Sequence, residues 1–275
     1  MKKRLLILVP LLVFLAGLSV LLYPIASDFY SAIRQKRVIL DYSQKVSQIG
    51  NEEYAALLEQ AREYNRRLLG RPGRYLLSEA DFEEYSSILN VGGDGVIGVL
   101  EIPNINVKLP IYHTTNAAVL EIGVGHYEGT SFPVGGPGTH AVVTGHRGLP
   151  SATLLSELDL LTVGSRFIVN VLDETLTYEV DQSLVILPDD IRHLEIVPGE
   201  DYMTVFTCTP YGINTHRLLV RGHRISNGRK PINVRINQDA RQVDMTPAII
   251  TLAAFLLIVF SIDLFRQVKS LRERR

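Results

Sequence analysis

The sequence predicts a mainly β domain, a closed or nearly closed barrel or sandwich, preceded by an α-helical region and flanked by two transmembrane helices. Three observations carry that prediction. Short β-branched runs recur between Val96 and Ile225, separated by Gly/Pro turns. Before them, residues 28–90 show helical periodicity. At either end lies a long uncharged stretch: Leu5–Ala26, 22 residues, and Met245–Ile262, 18 residues. Each is close to the ~20 residues that carry a helix across a bilayer.

The first stretch follows Lys2, Lys3 and Arg4. A cleaved signal peptide would have a shorter apolar region and a small-x-small cleavage site, and Pro24-Ile25-Ala26 is a poor one. Residues 1–26 therefore read as an uncleaved anchor, and lipid-buried helices tolerate a proline such as Pro10. The second span, residues 245–265, runs into a basic tail at 266–275 containing Arg266, Lys269, Arg272, Arg274 and Arg275. Basic flanks stay in the cytoplasm. Both termini are thus expected inside the cell membrane and residues 27–244 outside.

Within the helical region 27–90, Asn51 is placed to cap a helix whose Tyr54, Leu57, Leu58, Ala61 and Leu68 share a face. Glu52 and Glu53 start it, Arg66 and Arg67 end it, and Arg71-Pro72-Gly73 breaks it. Ser78-Glu79-Ala80-Asp81 resembles a capping box for a third helix ending near Asn90. These amphipathic helices are expected to pack on the neighbouring domain. From Gly92 the character changes. Strands are expected at 96–102, 106–112, 139–144, 167–171, 176–186, 202–207 and 217–225, within a β domain spanning 91–226, with one helical insert at Ala152–Leu160. A polar linker at 227–244 follows.

Net charge is −1 and hydrophobic content 46%, which indicate neither nucleic-acid binding nor disorder. The single cysteine, Cys208, lies in the outer portion and has no bridging partner within the chain. It ends the run Thr204–Cys208 just before a Pro/Gly turn. Two further segments stand out, Thr144-Gly145-His146-Arg147-Gly148 and His216-Arg217-Leu218-Leu219-Val220-Arg221-Gly222. Cys208 and Arg217 flank a turn-rich loop, so a hairpin would set them across from each other, about 5 Å apart.

The chemistry gives each a role. A free thiol ionises near pH ~8.5, and neighbouring cations favour the reactive thiolate. His146 can protonate a leaving amine and deprotonate an incoming one. Arg217 can donate hydrogen bonds to a carbonyl or developing oxyanion. Together they suffice for acyl transfer through a thioester. Arg221, four residues along and potentially on the same face, is the rival for the arginine role. His216 should point to the opposite face, as a structural or solvent-facing group. His113, His126, His140, His193 and His223 lack metal-ligand spacing. Thr207 and Thr209 fit substrate hydrogen bonding and strand propensity equally well, and Glu128 and Asp181 have no motif support as a triad carboxylate.

The run Thr207-Cys208-Thr209-Pro210-Tyr211-Gly212-Ile213-Asn214-Thr215-His216-Arg217-Leu218-Leu219-Val220-Arg221-Gly222 resembles the active-site signature of sortases. Gly125–Gly136 and Thr144–Gly148 are similar to two other segments of that family. The form of the signature, the helical region before it and the second span resemble class C, the pilin-polymerising branch. The resemblance implies a closed eight-stranded sortase-type β-barrel and a transpeptidase with His146, Cys208 and Arg217 as its catalytic residues. Cys208 would attack the Thr–Gly bond of an LPXTG-like sorting signal, and a pilin lysine amine would resolve the thioester. No metal or organic cofactor is implied. The partners implied are pilins or surface proteins bearing such signals, with membrane lipid around the spans. Attachment of single proteins to cell-wall peptide is the runner-up function, and a non-catalytic peptide-binding β-domain a distant third. Class C members commonly carry a lid built on Asp-Pro-aromatic. The candidate segment 70–90 has no Asp-Pro pair, and only Tyr75 or Asp81-Phe82 stand where a substitute would be.

Overall fold

The computed structural model describes residues 2–227 and 246–273. They fall into two compact units: α1 (Lys2–Ser47) up to Tyr30 together with α5 (Thr246–Glu273), and the chain from Ser31 onward up to Asn227. In the first unit the rings of Phe14 and Phe260 stack 4.2 Å apart. α1 contains a helix long and apolar enough to cross a membrane, beginning at Leu11. The apolar part of α5, Ile249–Ile262, falls short of the ~20 residues of a full span. Of the two membrane helices expected, one therefore meets the length criterion among the described residues. Nearly all of the expected linker at 227–244 lies outside the described residues, as do Arg274 and Arg275 of the basic tail.

In the second unit, α1 is followed by α2 (Asn51–Leu68), α3 (Glu79–Ser87) and eight strands: β1 (Val96–Ile102), β2 (Val107–Tyr112), β3 (Val124–His126), β4 (Thr139–Thr144), β5 (Arg166–Val171), β6 (Glu174–Ile186), β7 (Asp201–Thr209) and β8 (His216–Ile225). The four-residue α4 (Ala117–Leu120) precedes β3. The strands close a barrel in the order β1-β2-β3-β4-β7-β8-β6-β5. All pairs are antiparallel except β2–β3 and β4–β7. Closure leaves no sheet edge bare. The interior is filled by β-branched and aromatic side chains such as Ile97, Ile111, Phe167, Val205 and Val220, all fully buried.

The helices pack on the barrel as their periodicity predicts. Leu58, Ala61, Tyr64 and Leu68 of α2 and Tyr85 of α3 join the barrel core. Burying a leucine such as Leu68 contributes about 1.5–3 kcal/mol. Tyr85 is buried completely, its hydroxyl 2.9 Å from His126 Nδ1 and accepting from Thr114 N at 3.2 Å. On another side Ile39 and Tyr42 of α1 pack against Val96, Val99 and Tyr112. The Tyr42 hydroxyl donates to Ile97 O and accepts from Leu172 N, at 3.1 and 2.8 Å.

Ser78 and Asp81 form a reciprocal capping box at α3, as expected. Asn51 does not cap α2. It is the first helical residue, and Gly50, with no side chain to bond, occupies the cap position. The helix expected at Ala152–Leu160 is also absent. Leu154 turns to φ 41° and Leu155 N donates to His146 O at 3.2 Å, outside any helical ladder, leaving only a 3-10 turn at Leu158–Leu160. The three-residue β3 was not anticipated. It pairs at only two positions with each neighbour.

Candidate active site

β4 and β7 run parallel, with Thr144 beside Phe206. The offset continues past the end of β4. Thr207 Oγ1 donates to Gly145 O at 2.8 Å, and Thr144 Oγ1 donates to Phe206 O at 3.1 Å, each spanning 62 positions. His146 and Cys208 are separated by the same offset and leave neighbouring strands at one level. Gly145 is required by close approach. A Cβ there would come within 3.0 Å of Leu155 and Val124 side-chain carbons. Beyond it, the His146 carbonyl accepts from Leu155 N, and Gly148 N donates to Ser156 Oγ at 3.1 Å.

On the other side of Cys208 lies β8. Cys208 pairs with Arg217 in the antiparallel register, as the hairpin reading anticipated. The turn between them closes on Pro210 O, which accepts from Ile213 N and Asn214 N at 3.1 and 2.9 Å. Gly212 and Asn214 supply the left-handed backbone, at φ 75° and 62°. The Arg217 guanidinium donates through Nη1 to Asn214 O and His216 O at 3.3 and 3.1 Å. That anchors it at the mouth of the turn.

His146, Cys208 and Arg217 line one cavity of about 320 Å³. Ile186 at the end of β6, with Ile191 and Leu194 from the β6–β7 connection, makes an apolar wall, and Leu120, Tyr127 and Phe206 line it too. A thiol, an imidazole and a guanidinium therefore share a half-buried, largely apolar cleft. Such a cleft suits an extended peptide with an aliphatic side chain and one reacting carbonyl.

The Sortase domain family matches residues 100–225. Sortase C1 from Streptococcus agalactiae superimposes with a TM-score of 0.68 at 46% identity, covering 70% of this chain and 99% of that one. The chain belongs to the sortase family. Sortase C from Clostridium perfringens (39% identity, TM-score 0.60, 69% and 99% covered) and from Streptococcus pneumoniae (41%, 0.61, 69% and 97%) are also similar. Among curated relatives, Sortase D of Bacillus subtilis is 30% identical over 132 residues, 47% of this chain. Sortase A of S. agalactiae is 26% identical over 117 residues, 42% of this chain. The chain spans 64% and 47% of the length of these two.

Against the rest of this sortase barrel, the remaining candidates sort out by their partners. Arg221 makes a two-pronged pair with Asp181, at 3.0 and 2.9 Å, and lies 4.2 Å over the Tyr202 ring. It does not line the cavity. Asp181 is thereby engaged with Arg221, and Glu128 accepts from Thr115 N and Oγ1 at 3.1 and 3.0 Å. The ring of His216 meets Thr215 Oγ1 at 2.9 Å. His113, His126 and His140 each use both ring nitrogens on protein partners. Burial pushes His126 and His140 down to about 4. Thr207 bonds the Gly145 carbonyl, and Thr209 faces Arg147 rather than the cavity.

No residue of the candidate lid segment 70–90 lines the cavity. Tyr75 accepts from Arg74 Nη2 at 2.6 Å, and its ring lies 6.0 Å from Tyr127, so it stands behind the cavity wall. Asp81 is committed to the Ser78 cap and to Arg71, and the Phe82 ring lies 6.2 Å from that of Tyr85. The residues that sequence reasoning left without a role are the apolar wall, Ile191 and Leu194 above all, and the residue after the histidine, Arg147. The wall comes from a connection with no regular pattern. The position of Arg147 is readable only from the β4–β7 register.

Proposed function

We propose that this sortase is a membrane-anchored cysteine transpeptidase that cleaves an LPXTG-like sorting signal between Thr and Gly and transfers the acyl group to a lysine amine of a pilin. The observation that carries the reading is the meeting of Cys208, its cross-strand partner Arg217 and His146 in one apolar cleft. The Cys208 thiolate attacks the threonine carbonyl carbon. The oxyanion that forms takes hydrogen bonds from the planar Arg217 guanidinium. His146 gives its proton to the departing glycine amine as the C–N bond breaks, leaving a thioester on Sγ. An entering lysine amine attacks that thioester and loses a proton to His146. The thiolate departs and an isopeptide bond remains.

The pilin branch draws support from the similarity to sortases C, one of which, from S. pneumoniae, is described with pilin substrate specificity. For the membrane topology, the apolar α1 and the apolar stretch of α5, each with basic residues on its outer flank, support two spans with both termini cytoplasmic and the barrel outside. The proposed domain limits follow: 1–26 anchor, 27–90 helical region, 91–226 catalytic barrel, 227–244 linker, 245–265 second span, 266–275 basic tail.

The full chain in detergent, mixed with a pilin carrying a sorting signal, should give a ladder of covalent multimers. Transfer only to a wall-peptide amine would replace the pilin reading with cell-wall anchoring. Binding of the signal peptide without cleavage would remove the transpeptidase reading altogether.

A further inference from the structure

Three consecutive residues of the His146 loop are gripped by the segment 155–159. The carbonyl of His146 accepts from Leu155 N, the guanidinium of Arg147 pairs with Asp159, and Gly148 N donates to Ser156 Oγ. The middle link differs from the other two because it reaches further. Arg147 Nη1 extends to Thr209 Oγ1 at 3.4 Å, and its Cζ lies 5.9 Å from the centroid of the Tyr211 ring. Thr209 follows Cys208 directly. Tyr211 in turn packs so closely on the loop that a Cβ on Gly148 would approach its ring to 2.9 Å.

The arrangement follows from the β4–β7 register. With an offset of 62 positions, His146 and Cys208 are level and line the cavity. Arg147 and Thr209 are level as well, and neither lines it. Two adjacent pairs therefore stand one in front of the other. The Arg147 side chain is only 4% exposed, so this is no solvated surface pair of negligible effect. Asp159 sits in the 3-10 turn between Leu158 and Leu160, both buried.

We infer that Arg147, fixed by Asp159, is a positioning residue that pins the His146 loop to the strand end bearing Cys208. The inference rests on the transpeptidase reading for its kinetic consequence. A planar guanidinium suits the task because it can address two partners in different directions at once, which an ammonium cannot. Loss of the pin would let the imidazole drift relative to the thiol. A misplacement of ~1 Å in a reacting group is enough for about a 100-fold loss in rate.

The test uses the full chain in detergent with a fluorogenic sorting-signal peptide. A second readout is the pH profile of Cys208 alkylation by iodoacetamide, which needs no substrate. Arg147→Ala should lower kcat about 10–100-fold with KM within about threefold. Its alkylation profile should move from that of the wild type toward that of His146→Ala. Arg147→Lys should recover part of the loss by pairing with Asp159 alone. If Arg147→Ala does not fold, Asp159→Asn is read by the same criteria. A folded variant with wild-type kcat and a wild-type alkylation profile overturns the inference, and so does a loss confined to KM. If the wild type itself leaves the peptide uncleaved, the transpeptidase reading fails, while the alkylation profiles still decide whether Arg147 couples His146 to Cys208.

Discussion

Cys208 and Arg217 are direct cross-strand partners, one pair before the end of the β7–β8 ladder, so backbone pairing sets the positions from which thiol and guanidinium extend. The arginine's reach is limited further by its bonds to Asn214 O and His216 O. On the proposed mechanism, a donor fixed in this way needs no reorganisation as charge develops. Arg217→Lys should therefore cost about 100–1,000-fold in kcat, the usual loss of an oxyanion donor. Arg221→Lys, which disturbs the Asp181 pair instead, should keep turnover within about threefold. Near-wild-type rates for Arg217→Lys would hand the role to Arg221.

Cys208→Ala removes a half-buried side chain that carries no structural hydrogen bond of its own. Surface-near truncations of this size usually change stability by less than about 1 kcal/mol. The variant should melt within a few degrees of the wild type and form no thioester, read by intact-protein mass spectrometry after incubation with peptide. Retained transpeptidation would show that the nucleophile lies elsewhere.

Acid should weaken the fold before it titrates ordinary carboxylates. Burial holds His126 and His140 neutral down to about 4, whereas an unfolded histidine protonates near ~6.5. The unfolded chain therefore takes up protons that the native one refuses. The stability that these groups contribute is fully present above pH ~6.5 and is lost as pH falls toward 4. Each can contribute roughly 3 kcal/mol over that window. Urea midpoints measured at pH 7.5 and 4.5 should differ clearly, with the lower value at pH 4.5. Equal midpoints would falsify this account of the two histidines.

Tyr85→Phe tests how α3 is fastened. The change keeps the ring in its stack with Phe132 and His126 but deletes the hydroxyl that serves His126 Nδ1 and Thr114 N. A buried donor and acceptor left without partners cost about 1–3 kcal/mol. Thermal denaturation should show a loss in that range, and an unchanged melting temperature would mean that the network contributes nothing net.

Much of this architecture was legible because period and punctuation agree. The seven long strands alternate or run apolar between Gly/Pro turns, and Ser78 with Asp81 spells out a cap that the chain forms. The hairpin that joins Cys208 to Arg217 could be read from its turn residues. What escaped depends on neighbours distant in sequence. β3 is short and is held by β2 and β4 rather than by any pattern of its own. The segment 152–160 looks helical, but its amides and hydroxyls are recruited by the His146 loop. The absence of residues 70–90 from the cavity is decided by how Tyr75 packs behind Tyr127, which no local signal encodes. Likewise Arg147 is an ordinary charged residue in sequence and a tie between two strands in space.

The Tyr42 hydroxyl has a consequence for where the catalytic unit begins. A closed ladder is usually taken to be self-sufficient, yet the amide of Leu172, at the β5–β6 turn, finds its acceptor on a helix that precedes the first strand by more than forty residues. Ile39 and Tyr42 also cover Val96, Val99 and Tyr112, which would otherwise present bare hydrocarbon to water. A soluble derivative cut at the start of the β domain would expose that patch and tend to self-associate. The smallest well-behaved enzyme therefore starts within the helix, upstream of Ile39.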